Sequence, residues 1–165
     1  MPPARVHDRI TLITAGLLTP VVLALPAENR FLSWGLFTVA HLFSGLGFSC
    51  DLDVRAVEYR RWGPLRWLWL PYTQLVYHRS WLSHGLVIGP LLRLLYFGLI
   101  VEVLVLAGVY LFGAGPEWLS HWHAFWGHLV RDHPRYVLDF LAGFTTGGAV
   151  HTIPDWLTTG VKRLI

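Results

Sequence analysis

The stretch LVIGPLLRLLYFGLIVEVLVLAGVYLF, residues 86–112, decides the fold class. A helix rises about 1.5 Å per residue, so this run is long enough to cross a hydrocarbon layer of about 30 Å. Only Arg93 and Glu102 interrupt it with charge. Three further apolar stretches accompany it. Residues 10–25 carry Pro20, where a break is expected, and end at Pro26-Ala27-Glu28-Asn29-Arg30; residues 31–48 and 136–157 are the other two. The last is lined with Ala142, Gly143, Thr145, Thr146, Gly147, Gly148 and Ala149. Small residues let helices approach closely in a bilayer, which predicts a place for this stretch at the bundle centre. The expected architecture is an all-α membrane protein of about four transmembrane helices, forming one domain over residues 1–165.

Composition agrees. The chain of 165 residues is 54% hydrophobic and 14% charged, against about 25% charged in soluble domains. Nine Trp, nine Phe and six Tyr are more apolar surface than so small a core can hide. Cys50 is the single cysteine, so no internal disulfide can form. The basic excess gives a net charge of +3 without a nucleic-acid motif, and reads as membrane orientation, with no nucleic-acid partner expected. Arg5 and Arg9 precede an apolar run without a small-residue cleavage site, as in a retained first span.

Between the second and third apolar stretches, Arg55, Arg60, Arg61, Arg66 and Arg79 alternate with Trp62, Trp67, Trp69, Tyr72, Tyr77 and Trp81. This mixture suits an amphipathic segment at the membrane interface, in contact with lipid. Residues 114–135 have the same character, with Trp118, Trp122 and Trp126 on one helical stripe, and are a candidate surface for a protein partner. Placing both termini in the cytoplasm puts Arg5, Arg9, the central arginines, Lys162 and Arg163 on the inner side, against Arg30, Arg131 and Arg135 outside. The same orientation gathers His7, Asp51, Asp53, His78, His84 and Asp155 at the inner face, with His151 one turn deeper.

Imidazoles and carboxylates gathered at one face suit a divalent metal. Each group also has a plainer reading. Asp51-Leu52-Asp53 can ligate one metal or two adjacent ones, or simply start a solvated loop or cap a helix. His78 and His84 lie about 240° apart on a straight helix at about 3.6 residues per turn, so they share a metal only if the segment turns. Otherwise they are incidental to a basic aromatic stretch. Arg79 beside them suits a phosphate, which guanidinium grips bidentately. His151 and Asp155 share a helical face one turn apart, and Pro154 between them predicts a kink; they are ligands or a hydrogen-bonded pair. Asp8 reads as a helix cap or first-turn acid, His41 as a buried ligand or packing group, and Cys50 as a small apolar residue. Glu102 is costly inside a span and calls for a neighbour to pair with. His121, His123, His128 and His133 fall on the opposite face and read as interfacial.

Four motifs in this order carry a resemblance: His7 before its apolar span, GFSCDLDV (residues 47–54), YHRSWLSHG (77–85) and GGAVHTIPDWLT (147–158). With them the chain resembles the YdjM-like family of membrane-bound, metal-dependent hydrolases, and looks closest to its cyanobacterial-type metal-binding branch. The resemblance covers most of the chain apart from residues 114–135. It implies metal ligation by His7, Asp51, Asp53, His78, His84, His151 and Asp155. It also implies a distant similarity to zinc-dependent phospholipase C and the single-strand nucleases. Cys50 and Val54 stand where the wider family often has Pro and His, which leaves the number of metals open.

The expected function is metal-dependent hydrolysis of a phosphoester, with a phospholipid as the natural substrate at the cytoplasmic face. Zinc is the first choice of metal and manganese or iron the alternatives. Asp51 or Asp53 would act as ligand or base, and Arg79 would hold the phosphate. The alternative is a non-catalytic membrane subunit or assembly factor stapled by the same metal.

Overall fold

A computed structural model describes residues 3–113 and 115–164, with side chains described as far as Thr158. The side chains of Lys162 and Arg163 therefore lie outside the described residues. Among those residues the chain is helical and holds no strand. The long helices are α1 (Ala4–Ala24) and α2 (Arg30–Gly47). A connecting region follows, made of a 3-10 turn (Cys50–Asp53), α3 (Val57–Arg61), a second 3-10 segment (Gly63–Trp69), α4 (Leu70–Leu75) and α5 (Trp81–His84). Then come α6 (Ile88–Leu111), α7 (Glu117–Asp132) and α8 (Pro134–Leu164).

Two helices, α1 and α6, are long and apolar enough to cross a membrane. α1 runs through Pro20 without ending there. A proline in mid-helix forgoes one backbone hydrogen bond, and the helix is otherwise intact. α8 likewise continues through Pro154. Beyond Arg93 no residue of α6 is buried by the rest of the protein. α2 and α8 pack face to face. The buried residues of α2 are Ser33, Phe37, Ala40, His41, Ser44 and Gly45, one stripe at helical spacing. Asn29 starts that helix by accepting a hydrogen bond from the Leu32 amide at 3.0 Å.

The small residues of α8 make the close approach possible. A Cβ at Gly143 would collide with the carbonyl of Phe37, and one at Gly147 with that of His41. His41 is the polar bolt of this contact: its Nε2 meets Thr14 Oγ1 of α1 at 3.0 Å and its Nδ1 meets Thr146 Oγ1 of α8 at 2.9 Å. It is a packing group.

The aromatic run of the connecting region divides. Trp67, Tyr77 and Trp81 are exposed, as an interfacial segment requires, but Trp69 and Tyr72 are fully buried. With Phe48, Trp62, Phe97 and Phe144 they build an edge-to-face aromatic core beneath the connecting region. Each such pair contributes about 0.5–1.5 kcal/mol beyond the area it buries. The alternation of Arg with Trp and Tyr therefore marks a folded layer with exposed aromatics at its rim.

Glu102 has neighbours. Trp122 Nε1 donates to its Oε2 at 2.9 Å, and His123 Nε2 lies 2.8 Å from its Oε1. α7 folds back against α6 to supply both and buries none of its own residues. His128 pairs with Asp132 on the same helix at 2.9 Å.

Candidate metal centre

All seven side chains implicated by the sequence meet at one end of the bundle, brought there by five different elements. His7 comes from the first turns of α1, Asp51 and Asp53 from the 3-10 turn, His78 from the loop before α5, His84 from the end of α5, and His151 with Asp155 from α8. The 3-10 turn tightens the chain just past α2, so both aspartates point inward; Asp51 is 9% exposed and Asp53 4%. The turn that lets two histidines six residues apart face one another lies at Arg79. Its φ of +62° is left-handed, a conformation few non-glycine residues adopt. The His78 and His84 rings consequently meet edge to face at 5.0 Å.

Potential ligand atoms fall into overlapping groups, each within 4.8 Å mutually: His7, His151 and Asp155; Asp53, His78 and His84; Cys50, Asp51, His84 and Asp155; Asp51, Glu58 and His151. The His7 and His151 rings stack at 4.0 Å with 12° between planes. His7 Nε2 lies 3.4 Å from Asp155 Oδ1, and His151 Nε2 lies 3.7 Å from Asp51 Oδ2. His78 Nδ1 lies 2.7 Å from Asp53 Oδ1. His78 is the accessible member, its side chain 31% exposed.

These residues fit a metal. His84 is 2% exposed, and its Nδ1 is 2.6 Å from the Ser83 hydroxyl, while its Nε2 has no hydrogen-bond partner. The Ser83 hydroxyl in turn reaches the Ser80 carbonyl at 3.5 Å, which leaves its lone pairs to accept from Nδ1–H. A proton on Nδ1, shared with the Ser83 hydroxyl, leaves a bare Nε2 lone pair, as in metal-bound histidines. His151 repeats the pattern, with Nδ1 at 3.4 Å from the Gly45 carbonyl and Nε2 without a hydrogen bond. The buried His84 Nε2 with no hydrogen-bond partner is costly, and a cation would remove that cost.

Electrostatics separates the carboxylates. Burial pushes Asp51 up, but contact with His151 and the charge of the surrounding histidines outweigh it, so Asp51 titrates below its usual range. Burial wins at Asp53, which titrates above its usual range despite the His78 contact. Burial, reinforced by His78, lowers His84 to about 4, so the ring is neutral at pH 7. Burial raises Cys50 strongly and keeps it a thiol.

Three placements differ from the sequence reading. Asp8 does not cap α1, which starts at Ala4 behind Pro3. Instead it receives Arg61 Nη1 at 2.9 Å and Nη2 at 2.6 Å, and Arg61 also donates to the Leu46 carbonyl, tying α1, α2 and α3 together at the rim of the site. Cys50, read as a packing residue, sits among the potential ligands. Glu58, 2% exposed, joins Asp51 and His151 and was missed. In VEYRR it reads as one acid in a solvated basic run, and the only signal was a carboxylate in the segment that follows the aspartate pair. Arg79 is exposed beside the site.

Residues 2–165 match the model of a family described as uncharacterized metal-binding protein (DUF2227). That description extends to metal binding and says nothing of hydrolysis. No curated protein and no solved structure matches the chain.

Proposed function

The chain belongs to this metal-binding family, and we propose that it is a metal-dependent hydrolase of phosphoesters, lipid-derived ones foremost, working at the cytoplasmic face of a membrane. The observation that carries the reading is the convergence of His7, Asp51, Asp53, His78, His84, His151 and Asp155 at one end of the bundle, with Nε2 of His84 held bare. We take those seven as metal ligands, with zinc as the preferred ion and manganese or iron as alternatives. In the membrane reading α2 and α8 also span, shielded by each other's polar stripes, with α1 and α6 toward lipid and both termini inside.

A divalent ion bound there would lower the pKa of its water from about 15.7 to roughly 7. The protein's own groups then have separate tasks. Asp53 would serve as a ligand or as the base for an attacking water, and His78, the accessible ligand, would orient it through their 2.7 Å contact. Asp51, held ionised by its histidine neighbours, anchors positive charge. Arg79, exposed beside His78, grips the phosphate. The test is Asp53→Asn in the full chain reconstituted with zinc. Hydrolysis of phosphoester substrates must disappear while the helical content and melting transition remain; retained turnover would refute the assignment.

A second reading follows from burial. Every member of the cluster except His78 is nearly or wholly buried, and closed coordination is the mark of structural metal sites. In that case the metal staples a membrane subunit or assembly factor, and α7, which buries nothing against its own chain, is the surface for a protein partner. Wild-type protein that holds stoichiometric metal, shows no exchangeable water ligand by relaxation or spectroscopy of a manganese or cobalt form, and hydrolyses nothing would favour it.

A further inference from the structure

A separate cavity of about 350 Å³, open on one side, is lined by Arg55, Tyr59, Arg60, Arg66 and Trp67. Its volume falls at the lower end of ligand pockets, about 300–1,000 Å³. Three features distinguish it. The lining contains three guanidinium groups and no acid, and among the described residues no ion pair engages any of the three. Arg61, their neighbour, is the one that Asp8 has taken. The aromatic members frame the charge, with Tyr59 buried at 5% exposure as the wall and Trp67 exposed with the Arg66 guanidinium 5.3 Å from its ring centre. Finally, the cavity belongs to the segment carrying the candidate ligands, since Arg55 follows Asp53 in the chain and Tyr59 follows Glu58 on α3.

Guanidinium groups that no carboxylate engages, lining one acid-free cavity, suit a phosphate, and Trp and Arg together sit at headgroup depth in a bilayer. We infer that this cavity is a second, metal-independent site that binds the phosphate of an anionic phospholipid headgroup. The inference rests on the membrane reading and not on catalysis. The cavity holds the headgroup through Arg55, Arg60 and Arg66, while Leu65 and Trp67, both more than half exposed, meet the acyl region. A lipid seated here is anchored beside the metal centre without being its ligand.

The experiment uses full-length protein in uncharged detergent, stripped of metal with chelator, titrated calorimetrically with dihexanoyl phosphatidylglycerol, dihexanoyl phosphatidylcholine and inorganic phosphate. Removing the metal separates this site from the proposed hydrolase: binding here survives whether or not that reading holds. Phosphatidylglycerol should bind with one site per chain and phosphatidylcholine more weakly. At about 1 kcal/mol per arginine near a membrane surface, R55Q/R66Q should weaken binding about 30-fold. That variant leaves the hydrogen bond from Arg60 to the Ala56 carbonyl in place. R5Q/R9Q, two exposed arginines outside the cavity, should leave the affinity unchanged. Equal weakening by the two double variants, or no saturable binding by a wild-type protein that melts cooperatively, overturns the proposal. Inorganic phosphate binding as tightly as the lipid overturns the headgroup and identifies a free phosphate as the ligand.

Discussion

Ser83→Ala is the sharpest probe of the metal centre, because it removes one oxygen that touches no metal. The Ser83 hydroxyl lies 2.6 Å from His84 Nδ1, and the ring is 2% exposed, so no water can replace the lost contact without entering the core. Two effects follow. The ring loses the contact that supports a proton on Nδ1, so the tautomer with a bare Nε2 is no longer favoured. The ring also gains rotational freedom that metal binding must remove again. Loss of such supporting contacts costs about 10–100-fold in metal affinity, which is about 1.4–2.7 kcal/mol at 1.36 kcal/mol per tenfold. The assay is competition against a zinc chelator of known affinity, with metal content by mass spectrometry beside it. Ser83→Ala should load fully at high free zinc but lose it to a chelator that leaves the wild type occupied, whereas His84→Ala should not load to the wild-type stoichiometry at all. An affinity within threefold of wild type for Ser83→Ala, alongside a large loss for His84→Ala, would show that Ser83 does not orient the ligand and would refute this account of the tautomer.

Other outcomes are equally definite. Glu58→Gln keeps the shape of the side chain and removes its carboxylate, so metal stoichiometry or affinity should fall while the helical content stays; metal analysis beside circular dichroism on one preparation reads both, and an unchanged metal content would remove Glu58 from the ligand set. Gly147→Ala places a methyl on the His41 carbonyl and should destabilise the α2–α8 contact by about 1–3 kcal/mol, seen as a lower melting temperature in detergent; an unchanged melt would contradict the packing. In the metal-free protein, His84 titrates in the folded state at about 4 instead of 6.5. The unfolded chain therefore takes up the proton first, and stability is lost as the pH falls from about 6.5 to about 4, by about 3 kcal/mol at 1.36 kcal/mol per unit. His84→Asn should flatten that part of the curve relative to wild type, and superimposable curves would reject it.

Local pattern was enough to mark what local pattern controls. Residues 86–112 read as a long apolar helix because nothing but Arg93 and Glu102 breaks the run, and α6 occupies nearly that stretch. The glycines of α8 announced close packing, and the i, i+4 spacing of His151 and Asp155 announced a shared face. The partners of those residues were not legible, because they lie far away in sequence: Asp51 meets His151 only after α2 and α8 have packed, and His7 meets Asp155 only after α1 joins α8. Glu58 was hidden by its own neighbours, since Arg60 and Arg61 make the helix look solvated while Arg61 is in fact pulled off to Asp8. Trp69 and Tyr72 were hidden likewise, as composition cannot tell an aromatic that rests at an interface from one that forms the layer beneath it. The pairing of His41 on α2 with Thr146 on α8 is likewise a property of the two helices together that neither displays alone.

Arg93 gives the site its mechanical order. Fully buried, it donates from Nε to the Phe48 carbonyl at 2.9 Å and from Nη1 to the Ser83 carbonyl at 2.8 Å, thereby clamping the end of α2 and the turn of α5 to α6. Asp51, Asp53 and His84 therefore travel together as one jaw. His7, His151 and Asp155 form the other jaw, carried by α1 and α8. Those two jaws are already joined by the packing of α2 on α8 and on α1, so a cation held by both would enter a frame that helix packing has set before it arrives.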